Sequence, residues 1–195
     1  SRSARLTARG GLGSGRELTF ELAAPQLAEI VPRTSGSVTA RGTASGEFSA
    51  PQLRLDATAN DLKFANGQTV DSMTASFAGG TAATAPLAII VKITGHRAPD
   101  PDASLAGATL VARGITSDHT LELNGTTLSQ QPLRVVATGG WRAGVAQDYA
   151  WRGSLITAES GKPLELRLSE PASLTIAPGS VSFGPARFVA RGTQF

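Results

Sequence analysis

Apolar and polar residues alternate with a period of two along most of this chain, and few patterns restrict a fold more. Successive side chains of a strand point to opposite faces, so such alternation makes one face of a sheet apolar and the other polar. Leu18, Phe20 and Leu22 alternate with Glu17, Thr19 and Glu21. Leu53, Leu55, Ala57 and Ala59 alternate with Arg54, Asp56, Thr58 and Asn60. Met73, Ala75 and Phe77 alternate with Thr74 and Ser76. Leu87, Ile89, Val91 and Ile93 form a ladder whose other face holds Ala88, Ile90, Lys92 and Thr94. Leu121 with Leu123 follows, and then Leu133 with Val135 and Ala137. The C-terminal part adds Leu164, Leu166 and Leu168 against Glu165 and Arg167, then Leu174 with Ile176 and Val181 with Phe183.

Turn signals separate these runs at intervals of about 8–12 residues, the rhythm of an all-β chain. The 22 Gly and 11 Pro supply the punctuation. Asn66-Gly67 and Asn124-Gly125 read as hairpins, since Asn and Gly tolerate the positive φ of type I′ turns. The glycosylation sequon Asn124-Gly125-Thr126 is therefore read as a turn. Pro178-Gly179 and Gly184-Pro185 break the last strands apart. The spacing predicts a meander with strands over residues 1–24 and successive strands over 36–195. Between them Leu27, Ile30 and Val31 fall at i, i+3 and i+4 after Pro25, which predicts about two helical turns over 25–32, ended before Pro32. His96 to Ser104, with two X-Pro bonds, reads as a loop.

Composition narrows the function classes. Charged residues are 17% of the chain and the net charge is +3, with Arg2, Arg5, Arg9, Arg41, Arg113, Arg142 and Arg191 scattered along it. No basic run interleaves with aromatics, so no nucleic-acid partner is expected. Cys is absent, which excludes disulfides and thiolate metal sites and suits a periplasmic or a cytosolic home equally. No window reaches the ~18 apolar residues of a membrane span. The chain opens on Ser1 with no apolar leader, which is read as an internal fragment whose anchor lies elsewhere.

Motifs that could carry chemistry are weak. Gly11, Gly13 and Gly15 resemble a phosphate loop, but a strand follows them where a helix N-terminus is required, so they read as a flexible turn. Ser117, Asp118 and His119 are the residue types of a hydrolase triad. As chain neighbours on a strand they point to alternate faces and cannot converge. His96 is the only other histidine, and Asp100 with Asp102 offers too few oxygens for calcium. No cofactor and no enzymatic activity are expected.

The apolar ladders remain. Each Leu, Ile, Val or Phe left in water costs roughly 1.5–3 kcal/mol, so about twenty on one face must be covered. Alternation by itself favours a second sheet, giving a closed β-sandwich of an adhesion or binding module.

The order of motifs points elsewhere. Residues 25–64 read PQLAEIVPRTSGSVTARGTASGEFSAPQLRLDATANDLKF: a helical xLxxIxP turn, Gly-rich hairpin segments and a Leu-x-Leu-x-Ala-x-Ala-x-x-Leu strand. Later, Trp151-Arg152-Gly153-Ser154-Leu155 leads to Leu164-Glu165-Leu166. Glu170-Pro171-Ala172-Ser173-Leu174-Thr175-Ile176 and a last strand around Phe188 to Gly192 follow. This arrangement resembles the TamB family of bacterial envelope proteins, within the AsmA-like superfamily. The Ala-rich tract Ala78 to Ala85 is poorer in bulky residues than the family's usual strand pair, which leaves the register there loosely specified.

The resemblance implies a slice of a several-fold longer protein, anchored in the inner membrane of a Gram-negative bacterium and crossing the periplasm to the outer-membrane barrel protein TamA. It implies a long meandering sheet folded into a U-shaped open groove (β-taco-like), apolar inside, with one short helical turn. It also implies autotransporter and outer-membrane protein assembly and phospholipid transport. The expected groove wall, facing acyl chains or unfolded β-strand clients, is Leu18, Phe20, Leu53, Leu55, Met73, Phe77, Leu87, Ile89, Val91, Ile93, Leu121, Leu123, Leu133, Val135, Leu164, Leu166, Leu168, Leu174 and Ile176. Small residues such as Ala57, Ala59, Ala75 and Ala137 leave room between them.

Overall fold

The computed structural model describes residues 4–143, 149–161 and 165–190. Strands β1 (Arg5–Gly10), β2 (Gly13–Ala24), β3 (Ser35–Gly46), β4 (Gln52–Lys63) and β5 (Thr69–Gly80) come first. Then follow β6 (Pro86–Arg97), β7 (Leu105–Ile115), β8 (Asp118–Thr127), β9 (Pro132–Ala143) and β10 (Tyr149–Ser160). The last strands among the described residues are β11 (Leu166–Leu168), β12 (Ala172–Ala177), β13 (Ser180–Phe183) and β14 (Phe188–Ala190). All lie in one 14-stranded sheet, and β1 to β10 pair in chain order, each antiparallel to the next.

The meander ends in a fork. Trp151–Leu155 of β10 pairs with β12, whereas Glu159 pairs with Arg167 of β11. A register shift between Leu155 and Thr157 separates the two halves, and a bulge of this kind bends a strand and re-aims its remaining residues. β13 then extends β12, and β14 extends β11.

Turn chemistry explains most of the connections. Phe64 and Gly67 close a turn in which Gly67 takes φ 83° and the Asn66 side chain accepts from the Gln68 amide. This is a type I turn followed by a left-handed residue, and not the I′ form expected. Pro178-Gly179, with Gly179 at φ 76°, joins β12 to β13. Asn124-Gly125 is no turn at all. Both residues lie inside β8, opposite Arg134 and Leu133 of β9. The reversal falls three residues later, where Gln130 adopts φ 63° and donates its amide to Thr127. Ala78 to Gly80 keep regular register against Arg54, Leu53 and Gln52, and only residues 81–85 form the turn.

The helical segment is shorter than its spacing suggests. Only Leu27–Glu29 forms a 3₁₀ turn, with the Val31 amide also reaching the Leu27 carbonyl. Leu27 packs inward while Ile30 and Val31 stay exposed, so one contact does not support a second turn. His96 and Arg97 continue β6, and the loop contains a second 3₁₀ turn at Pro101–Ala103.

A crease crosses β3 to β7. Gly36 (φ 113°), Asp61 (φ 53°), Asp71, Gly95 (φ 66°) and Ala106 all fall between paired residues along one line. Left-handed residues interrupt the strict alternation of side chains. Beyond the crease Leu62 and Val70 turn to the same side as Ala59, and the three form a buried cluster with Leu27, Val38, Met73 and Ile93 packed against it.

Candidate functional site

Pairing register decides which residues share a face, because directly opposed residues in an antiparallel ladder point the same way. Phe20, Gly42, Leu55, Phe77, Ile89, Ala112, Leu121, Ala137, Leu155 and Ala172 are successive cross-strand partners from β2 to β12. Neighbouring strands lie ~4.8 Å apart, so this ten-member row extends over about 43 Å. A parallel row runs Leu22, Ala40, Ala57, Ala75, Val91, Leu110, Leu123, Val135.

The rows on either side contain Leu18, Leu53, Leu87 and Leu174, and Met73, Ile93 and Leu133. Ile176 pairs with Trp151 on this face, and the Glu159–Arg167 pairing turns Leu166 and Leu168 to it. Leu168 is buried against Leu155 and Ala172, whereas Leu166 is exposed. Leu164 lies outside the described residues.

This face is apolar and incompletely covered. Leu53, Leu55, Phe77, Ile89, Val91, Leu121, Leu123 and Val135 are all only partly buried. Alanine, too small to shield itself, reports the asymmetry of the sheet. Ala112 and Ala137 on the apolar face are 0% and 3% exposed beneath their large neighbours, while Ala88 on the polar face is exposed. The three buried clusters join neighbouring strands and, in one of them, the first 3₁₀ turn; none contains a facing layer. The accessible surface is 12662 Å² for 20.0 kDa, against about 8,700 Å² for a compact globule of that mass. The closed sandwich is thereby overturned: every described strand belongs to one open sheet.

Large side chains lean over the glycines of the face. A methyl on Gly42 would strike the Phe20 ring, and one on Gly79 would lie 2.8 Å from the Phe77 ring. At the β8–β10 end Trp151 is 2% exposed and donates from Nε1 to His119 Nε2 across 2.9 Å. His119, itself 4% exposed, donates from Nδ1 to the Ile115 carbonyl at 3.0 Å. The Ser117 hydroxyl donates to the Ala83 carbonyl. Ser117 and His119 are thus committed to structural hydrogen bonds.

The polar face carries the ion pairs. Arg97 meets Asp71 at 2.7 Å and Arg134 meets Glu122 at 3.2 Å. Hydrogen bonds from Asn124 and then Arg134 hold the Glu122 carboxyl below its usual range.

Several residues of the apolar face escaped the alternation reading. Leu110, flanked by Ala108 and Ala112, lies on β7, where apolar Val111 on the other face hides the period. Leu62 and Val70 are out of phase with their own strands until the crease turns them. Trp151 was legible only as part of a Trp-x-Gly-x-Leu motif, and its partner His119 carries no local signal.

One antiparallel sheet, apolar on one side with no covering layer among the described residues, defines a β-scaffold that presents a surface. The chain belongs to the TamB family: it matches the TamB N-terminal domain over residues 1–182. Members of that family are anchored in the inner membrane, span the periplasm and serve the translocation and assembly module. No curated protein and no solved structure matches the chain. Among the described residues no helix is long and apolar enough to cross a membrane.

Proposed function

We propose that the apolar face works as a periplasmic groove that carries phospholipid acyl chains between the inner and outer membranes. The full-length protein would support autotransporter and outer-membrane protein assembly together with TamA. The observation that carries this reading is the unbroken apolar register from Phe20 to Ala172, left partly open to solvent. Covering it with an acyl chain gains about 0.8 kcal/mol per buried CH₂. Adjacent strands offer similar walls, so a chain can shift along the rows without crossing a high barrier. The role is non-catalytic, a reading supported by the structural bonds of Ser117 and His119.

A second cargo is favoured by the edge of the sheet. Every residue of β1 is exposed and its outer hydrogen-bonding edge has no described partner strand, so an unfolded client strand can add there.

The test is a photo-crosslinking residue at Ile89 or Val135 in cells. Phospholipid adducts are the expected product. Adducts confined to side chains of the same chain would defeat the groove reading, and adducts to an unfolded client would replace lipid with the second cargo.

A further inference from the structure

The polar face of β1–β4, on the opposite side of the sheet from the apolar rows, holds a concavity of about 730 Å³. Arg5 and Arg9 of β1 and Arg41 of β3 line it, among the hydroxyls of Thr7, Thr19 and Thr39. Register places Arg41 between Glu21 and Asp56, which line it too. The ion pairs among the described residues involve none of these three arginines and neither carboxylate. Three exposed guanidinium groups, none of them in an ion pair among the described residues, therefore line one hollow.

We propose that this hollow binds the phosphate of a hydroxyl-bearing phosphate ester. A guanidinium stays charged at all relevant pH and matches the planar spread of phosphate oxygens with paired N–H donors. Three cations against two carboxylates leave the site one positive charge, which suits a single anionic group. The carboxylates repel a bare phosphate, so a ligand that brings its own O–H donors to Glu21 and Asp56 fits best. Glycerol phosphate is the simplest such molecule, free in solution or as the headgroup of a phosphatidylglycerol surface. Phe20, Leu22 and Ala40 of the apolar rows also border the hollow, but its charged and hydroxyl side chains all belong to the other face, so the site does not depend on the proposed cargo.

The experiment titrates the chain with glycerol 3-phosphate by calorimetry and, separately, co-sediments it with phosphatidylcholine vesicles with and without phosphatidylglycerol. Arg9→Gln with Arg41→Gln should weaken binding about tenfold or more, Arg41→Lys should weaken it less, and added salt should weaken it further. Arg113→Gln, on the polar face of β7, should leave it unchanged. Binding to the free ester identifies a soluble ligand, and binding to phosphatidylglycerol vesicles alone identifies a membrane surface. Binding to neither, or equal loss in Arg113→Gln, overturns the proposal. All three arginines of the hollow are exposed, so a thermal melt of each variant separates lost binding from lost fold.

Discussion

Trp151 and His119 meet through a single buried hydrogen bond, Nε1 to Nε2 at 2.9 Å, that spans from β10 over β9 to β8. An indole N–H only donates, so Nε2 accepts and the His119 proton sits on Nδ1, where the Ile115 carbonyl receives it. The bond thus ties three strands and a hairpin end together on the apolar face.

Trp151→Phe leaves the buried Nε2 without a partner and a small void beside it. The expected loss is about 2–4 kcal/mol in urea denaturation. Adding His119→Leu removes the orphaned acceptor and should recover part of it. A double variant as unstable as the sum of the two singles would show that the bond contributes no coupling.

Gly139 and Gly153 let β9 and β10 approach beneath that pair. A methyl on Gly139 would press on the Arg152 carbonyl and the Gly153 Cα, both backbone. Gly139→Ala should therefore cost about 1–3 kcal/mol, since backbone gives way less readily than a side chain. Gly11→Ala, with open space around it, is the control and should change stability little. Equal melting points for the two would contradict the close approach.

Gln130 occupies the left-handed position that Gly67 fills in the matching turn. Gln130→Gly should stabilise the chain by about 0.5–1 kcal/mol, because glycine adopts positive φ without the clash of a Cβ. A lower unfolding midpoint would show that the Gln130 side chain, which is exposed, contributes more than its backbone costs.

Ile89 and Lys92 lie on one strand and face opposite sides of the sheet. Ile89→Arg puts a charge in the apolar row and should lower lipid transfer about tenfold or more, whereas Lys92→Glu should leave it near the wild-type rate. The measurement is transfer of labelled phospholipid by the full-length protein. Equal effects from the two would remove the distinction between the faces.

Glu122 provides a pH test on the polar face. The Asn124 and Arg134 bonds lower its folded pKa below the ordinary 4.5. Its contribution is therefore whole above that ordinary value and fades as pH falls through the folded one. Glu122→Gln should unfold at lower urea than the wild type at neutral pH, and the gap should narrow as the carboxyl protonates in acid. A gap that persists in acid would assign the effect to something other than the carboxylate.

Much of the sheet was legible from the chain, and the misses have local causes. Asn124-Gly125 carries the strongest turn signal after Asn66-Gly67, yet Asn124 works as a donor to Glu122 within β8 while Gly125 packs near Ala108. Turn propensity is a local preference, and the pairing of β8 with β9 overrode it. The two helical turns expected over 25–32 shrank to one because only Leu27 found a hydrophobic partner. The fork at β10 left no trace, since Leu166 and Leu174 show the same alternation although they belong to different branches.

Period two in the side chains was enough to make this an all-β chain with one apolar face, because a strand geometrically sorts alternate residues to opposite sides. It could not say whether another layer would cover that face, since a sandwich and an open sheet satisfy the same alternation. Long-range register settled the matter: it aligned ten strands so that their apolar residues join into one row, and it put every described strand in a single sheet. The crease, the fork and the His119–Trp151 bond arise in the same way, from residues far apart in the chain whose meeting no local pattern encodes.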